Sequence, residues 1–311
     1  MSRLLRDPKL APVAAAAFSL GLFAAPWLVP IVGAFVTIWA PAPLVALYRL
    51  QGSRSGRLAL MLALGGALLI VGNLVGSVAG LIYLAYAAAA LILGEAYVWG
   101  QNDERGIAIA AGASWGAVLA ITWGSGLMES GGEAWLAYWT RQTGAVVRAY
   151  QDSGLSPESL EDVRYTLRLA GQLIAHLAIG ILACGALLVA WANQLLARRI
   201  SPPEQRPALN TWRAPDRLVW VLIAAGAMMA LLEGFWFWTG ANLVIVLSLI
   251  YFFQGIAVLA FWLKKKNTPR LLRVGIYLLV AVEIFLALLV ALMGLFDLWF
   301  NFRRLGKEPA A

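Results

Sequence analysis

Long apolar runs, each interrupted by a lone acid or amide, constrain this chain more than any other feature. Residues 271–294 are uncharged from Val274 onward except for Glu283. One helical crossing of a bilayer's hydrocarbon core takes about 20 apolar residues. Lipid offers the backbone no hydrogen-bond partners, so such a run must satisfy its own peptide groups as a helix. Hydrophobic residues make up 61% of the chain and charged residues 13%, against about 45–50% and about 25% in a soluble domain. That excess is too large for a single buried core. It predicts an all-α fold, a polytopic transmembrane helical bundle.

Candidate spans fall at 10–29, 31–49, 57–76, 79–99, 105–128, 167–197, 217–238, 241–263 and 271–294. Pro41 and Pro43 remove helix hydrogen bonds from the second, which predicts a kinked or partly re-entrant segment and a count of about eight to nine. The start, Arg3, Arg6 and Lys9 followed by 10–25, has the pattern of a signal peptide. Apolar sequence resumes at once, so it reads as a retained first span.

Loop charge sets the orientation, because positive loops stay cytoplasmic. Arg49, Arg54 and Arg57 follow span two. Arg198, Arg199, Arg206, Arg213 and Arg217 follow span six, and Lys264, Lys265, Lys266, Arg270 and Arg273 follow span eight. Alternating spans put all of these on the side of the N-terminus, which is then cytoplasmic. Arg303, Arg304 and Lys307 break the pattern if there are nine spans. The net charge of +8 therefore sets topology and contacts anionic lipid. It forms no basic stripe interleaved with aromatics, and no nucleic-acid partner is expected.

The organisation expected is a six-span membrane unit over 1–200, a cytoplasmic linker over 201–215 and a three-span unit over 216–311. The first unit contains an extracytoplasmic insert at 129–166. Within it, residues 133–150 carry Trp135, Trp139, Val146, Val147 and Tyr150 at helical spacing, which predicts an interfacial amphipathic helix. Ser156-Pro157-Glu158 then supplies an N-cap, a proline at N1 and an acid in the first turn. The pattern runs on to Arg198, a helix of about 63 Å. Its first part has to lie outside the hydrocarbon layer, or along it.

Chemistry-bearing motifs are sparse. One histidine, His176, and one cysteine, Cys184, exclude a multi-histidine metal site and an intrachain disulfide. No His-Glu-x-x-His and no Gly-x4-Gly-Lys-Ser/Thr occurs, so neither zinc proteolysis nor ATP hydrolysis by this chain is expected. Trp123-Gly124-Ser125-Gly126 is similar to intramembrane serine proteases but has Trp123 where they have glycine. The chain is expected to be no enzyme and to need no cofactor and no metal.

Small residues recur at helical spacing. Gly72, Gly76 and Gly80 form one stripe, and Ala17, Gly21 and Ala25 another, with Gly112 and Gly116 in span five. Such stripes predict close helix packing, within the chain or against a partner membrane protein. The intramembrane polar residues are Asn73, Glu95, His176, Glu233, Asn242, Gln254, Glu283 and Asp297. An ionisable group in a span is a functional candidate by default. The expected ligand site is a pocket among the last three spans, lined by Glu283, Glu233, Asn242 and Gln254, with Asp297 nearer the outer surface. Asn242 and Gln254 lie about 120° apart on an ideal helix, which strains that grouping.

The C-terminal third carries a resemblance. Trp212-Arg213-Ala214-Pro215-Asp216-Arg217-Leu218-Val219-Trp220 leads span seven, and Tyr251-Phe252-Phe253-Gln254-Gly255 lies in span eight. Met293-Gly294-Leu295-Phe296-Asp297-Leu298-Trp299-Phe300-Asn301-Phe302-Arg303 ends span nine. These segments resemble the YybS-like family of predicted bacterial membrane proteins, which implies an inner-membrane location and no established activity. The chain is also loosely similar to the S-components of energy-coupling-factor transporters, which implies pairing with a separate ATPase module. The leading expectation is binding or transport of a small solute or lipid head group. The alternative is an assembly protein of the cell envelope that docks partner membrane proteins.

Overall fold

Helix is the only regular structure among the residues described by the computed structural model, which are 7, 9–71, 73, 77–101, 103–124, 133–199 and 212–303. The chain divides into two compact units, Met1–Pro203 and Glu204–Ala311. The first begins with α1 (Ala11–Leu28), α2 (Pro30–Val36), a 3-10 turn at Thr37–Trp39 and α3 (Ala42–Gln51). It continues with α4 (Ser53–Gly66), a π turn at Ala67–Val71, α5 (Ser77–Val98) and α6 (Asp103–Gly124), then α7 (Glu133–Asp152) and α8 (Pro157–Arg198). The second holds α9 (Leu218–Leu231), α10 (Phe235–Lys265), α11 (Arg270–Val282) and α12 (Ile284–Phe300).

Among the described residues six stretches are long and apolar enough to cross a membrane, namely α1, Val32–Gln51, Gly80–Val98, α6, α8 and α10, or seven if the bent pair α11 and α12 counts as one span. That is fewer than the eight to nine expected, for identifiable reasons. α4 has 14 residues before its π turn and carries Arg54 and Arg57 in its first turns. α9 also has 14 residues and stops before Leu232-Glu233-Gly234, where Gly234 takes φ +58°. The last run is broken at Glu283, where its two halves meet at 102°. Hydropathy alone sees neither break, because both flanks are apolar.

The second run, expected to be kinked or partly re-entrant, holds one candidate span, Val32–Gln51, that passes through the 3-10 turn. Pro41 precedes α3 and Pro43 sits in its first turn, so α2 and α3 are separated by the 3-10 turn. Side chains from other helices serve the interrupted backbone. Ser19 donates to the Ala40 carbonyl at 2.7 Å, and Asn193 of α8 donates to the Ile38 carbonyl at 2.7 Å.

The core of the first unit is built on alanine and glycine rather than on the predicted stripe. Ala11, Ala15 and Ser19 are the buried face of α1, while Ala17 and Gly21 are exposed. Two residues separate Ala15 from Ala17, a rotation of about 200°, so the Ala17–Gly21 stripe faces out of the unit. Gly112 and Gly116 likewise have no atom within 4 Å of where a Cβ would stand. Gly80 is buried, whereas Gly72 and Gly76 lie outside the described residues. The close approaches belong to Gly56 and Gly94 instead, which take the two sides of the buried Tyr48 ring.

In the second unit α10 is the scaffold. A Cβ on Gly240 would strike the Ala225 carbonyl of α9, and one on Gly255 the Val290 carbonyl of α12. A Cβ on Gly294 would strike the Tyr251 carbonyl. Both neighbours thus run antiparallel to α10. α9 covers its first half and α12 its second. Gly255→Ala forces α10 and α12 apart, an overpacking cost of about 1–3 kcal/mol. Its melting temperature in detergent is expected to fall by several degrees, whereas Gly275→Ala, where nothing lies within 4 Å, leaves the melting temperature unchanged.

Candidate functional site

The four residues expected to share a pocket in the second unit are spread along it. Glu233 is exposed in the break between α9 and α10. Glu283 is exposed in the break between α11 and α12, with an extended backbone at φ −91° and ψ 110°. Asn242 is half-buried and its amide donates to the Trp238 carbonyl one turn back, at 2.7 Å. Only Gln254 is fully buried. The register set by Gly255 and Val290 places Glu283 level with Trp262, about 12 Å along α10 from Gln254. The two carboxylates therefore mark helix breaks and line no common cavity.

Gln254 belongs to a different cluster. Its carbonyl oxygen accepts from the Ala214 amide at 3.0 Å, and its amide donates to Asp297 Oδ2 at 3.2 Å. Arg303 Nη2 donates to the same Asp297 oxygen at 2.7 Å, while its Nη1 donates to the Trp212 carbonyl at 2.7 Å. Arg213 Nη2 donates to the Leu298 carbonyl at 3.0 Å. The Asp297 and Arg303 side chains are 2% and 0% exposed. The antiparallel packing brings the end of α12 and the approach to α9 together at the middle of α10. This cluster is a buried ion pair that locks three chain segments together, with Asp297 Oδ1 and Arg213 Nε left without a hydrogen bond inside it.

The first unit gathers its charges at one end. Arg57 donates through Nε and Nη2 to the two oxygens of Glu95, at 2.7 and 3.0 Å, and Ser53 adds a bond at 3.2 Å. Arg198 pairs with Asp103 at 2.7 Å, Gln194 also donates to Asp103, and Arg49 donates to Gln194 at 3.1 Å. These bonds tie the α3–α4 corner, the α5–α6 corner and the end of α8 together.

Beside this end a cleft of about 800 Å³ opens between α5 and α6. Leu91, Ile92 and Ile109 line its far end, toward the middle of the two helices, and Trp99, Arg57 and Arg105 stand with Glu95 at its mouth, by the corner that joins them. Ile109 and Trp99 are 60% and 68% exposed, so the cleft opens to the surroundings of the chain. Arg57 is neutralised by Glu95, whereas Arg105 has no ion pair among the described residues. The sequence reading passed over this place, because it weighed Glu95 singly. The signal was available in the spacing of Trp99 and Arg105 across a four-residue corner.

His176 is exposed, and its Nδ1 lies 2.8 Å from the Gln172 carbonyl one turn back in its own helix. Trp135 and Trp139 donate to the Gly171 and Leu167 carbonyls at 2.9 and 2.7 Å. They anchor α7 to α8 as a hairpin. Ser125 lies outside the described residues. No group of three or more metal-ligating side chains occurs among the described residues.

Apolar helices of spanning length, with ion pairs confined to helix ends and one buried cluster, define a polytopic α-helical membrane protein. The chain belongs to the family described as predicted membrane protein DUF2232, which residues 17–298 match. That agrees with the resemblance carried by residues 212–303 and extends it over most of the chain. No curated protein and no solved structure matches it.

Asp297→Ala leaves the buried Arg303 guanidinium without its counter-charge. It is expected to cost about 3–5 kcal/mol, read by chemical unfolding in detergent. Asp297→Ala combined with Arg303→Met is expected to be more stable than Asp297→Ala alone.

Proposed function

We propose that this protein binds a lipid-like anionic amphiphile in the α5–α6 cleft, as a non-catalytic binding or transport protein of a bacterial cytoplasmic membrane. The observation that carries the reading is the cleft's polarity gradient. One end is lined by branched aliphatic residues, and the other presents Arg105, which lacks a counter-ion among the described residues. An acyl chain fits the first, and a phosphate or carboxylate head fits the second. The volume of about 800 Å³ lies in the upper part of the usual ligand range of about 300–1,000 Å³.

The orientation follows from charge. Arg49, Arg54, Arg57, Arg105, Arg198 and Arg199 gather at the end of the unit that carries the cleft mouth. Positive ends stay in the cytoplasm, so the N-terminus and the anionic head are assigned to that leaflet. Movement of the ligand across the membrane would need a gradient or a separate ATPase partner, since this chain carries no nucleotide-binding loop.

A second reading, docking of partner membrane proteins, is favoured by one observation. Ala17 and Gly21 are exposed on α1, and nothing among the described residues lies within 4 Å of where a Cβ on Gly21 would stand.

Native mass spectrometry of the detergent-purified protein, with lipidomics of what it releases, separates the two. Under the first reading an anionic lipid is retained, and Arg105→Gln lowers its occupancy by about fivefold or more, while Arg141→Gln leaves it unchanged. An occupancy indifferent to Arg105→Gln overturns the assignment. A co-purifying protein lost on Gly21→Leu favours the second reading.

A further inference from the structure

The hairpin of α7 and α8 holds a second cleft, smaller and of opposite character. Its volume is about 290 Å³, and Arg148, Arg164 and Arg168 line it together with Thr140, Thr143 and Gln151. The sequence places Arg148 sixteen residues or more from the other two, across the Gly154 turn. The indole bonds of Trp135 and Trp139 to the α8 carbonyls fix the register that brings them together. Gly171 lets the Trp139 ring lie flat on α8, since a Cβ there would strike it.

None of the three arginines makes an ion pair among the described residues. The acids of the same hairpin, Glu133, Asp152, Glu158, Glu161 and Asp162, do not line the cleft. Arg164 and Arg168 stand one turn apart on α8, where like charges repel. Three guanidinium groups facing one small space, with no acid among its walls, form a site that an anion would complete. Guanidinium forks match the oxygens of a phosphate, two bonds at a time. A cleft at the lower bound of the ligand range, about 300 Å³, suits a head group rather than a drug-sized molecule.

We infer that the α7–α8 hairpin binds a phosphate-bearing anion through Arg148, Arg164 and Arg168. The site is separate from the α5–α6 cleft and does not rest on the function proposed for it. α7 has its indoles on α8 and its polar face outward, so the source is either a soluble phosphate compound or the head group of a lipid.

The test uses the full chain in a neutral maltoside detergent at low salt, where electrostatic binding is least screened. Pyrophosphate and dihexanoyl phosphatidic acid are titrated calorimetrically, with dihexanoyl phosphatidylcholine as the comparison. Saturable binding of pyrophosphate identifies a soluble phosphate compound. Saturable binding of phosphatidic acid, without pyrophosphate or phosphatidylcholine, identifies a lipid head group. In either case the triple variant Arg148→Gln, Arg164→Gln, Arg168→Gln is expected to bind about tenfold or more weakly, and Arg141→Gln to bind as the parent does. Should the triple variant unfold, single Arg→Lys changes serve in its place. Each keeps the charge and loses the fork, and each is expected to weaken binding. The inference is overturned if neither probe saturates, if phosphatidylcholine binds as well as phosphatidic acid, or if the arginine variants bind like the parent.

Discussion

Where a helix stops, up to four amides or carbonyls lose their intrahelical partners, and apolar surroundings offer no water to replace them. The arrangement of both units follows from supplying those partners. At the 3-10 turn between α2 and α3, Ser19 and Asn193 serve carbonyls that the proline-rich sequence leaves open. At the end of α12, Arg303 reaches the Trp212 carbonyl and Arg213 the Leu298 carbonyl. At the end of α8, Arg198 and Gln194 close on Asp103 at the start of α6. Arg57 with Glu95, Arg198 with Asp103 and Arg303 with Asp297 pair their charges at such ends.

Close approach is the second condition. Lipid tails are as apolar as the helices, so association depends on packing rather than on expulsion of water. Glycine supplies it at specific points: Gly56 and Gly94 against Tyr48, Gly240 against Ala225, Gly255 and Gly294 across α10 and α12. With α9 on the first half of α10 and α12 on the second, two shorter helices end near its centre. The Gln254–Asp297–Arg303 cluster sits where they end. A buried ion pair of this kind adds little net stability over an apolar core, but removing one partner is costly. Its effect is to fix which ends meet.

Much of this was legible in the residues. The long apolar runs specify helices, and Ser156-Pro157 specifies the start of α8, which runs Pro157–Arg198 as the pattern requires. The prolines of the second run mark the place of its 3-10 turn. The polar constellation was not legible. Asn242, Gln254, Glu233 and Glu283 are close in sequence pattern, yet only the pairing of helix faces says which carboxylate reaches Gln254. Asp297 does so, and Glu283 turns outward at a bend. The Ala17–Gly21 stripe shows the same gap, because small residues occur on two faces of α1 and only packing selects one.

The sequence by itself determined that the chain is helical, apolar and membrane-spanning, because those properties follow from composition and from periods of a few residues. Tertiary structure alone decided which polar groups meet. Arg57 finds Glu95, and Arg303 finds Asp297 and the Trp212 carbonyl. The arginines of α7 and α8 share one cleft. The physical reason is rotational and axial register. A helix presents each side chain at an angle that the sequence gives, but the neighbour facing that angle is set by glycine contacts and indole hydrogen bonds from distant parts of the chain.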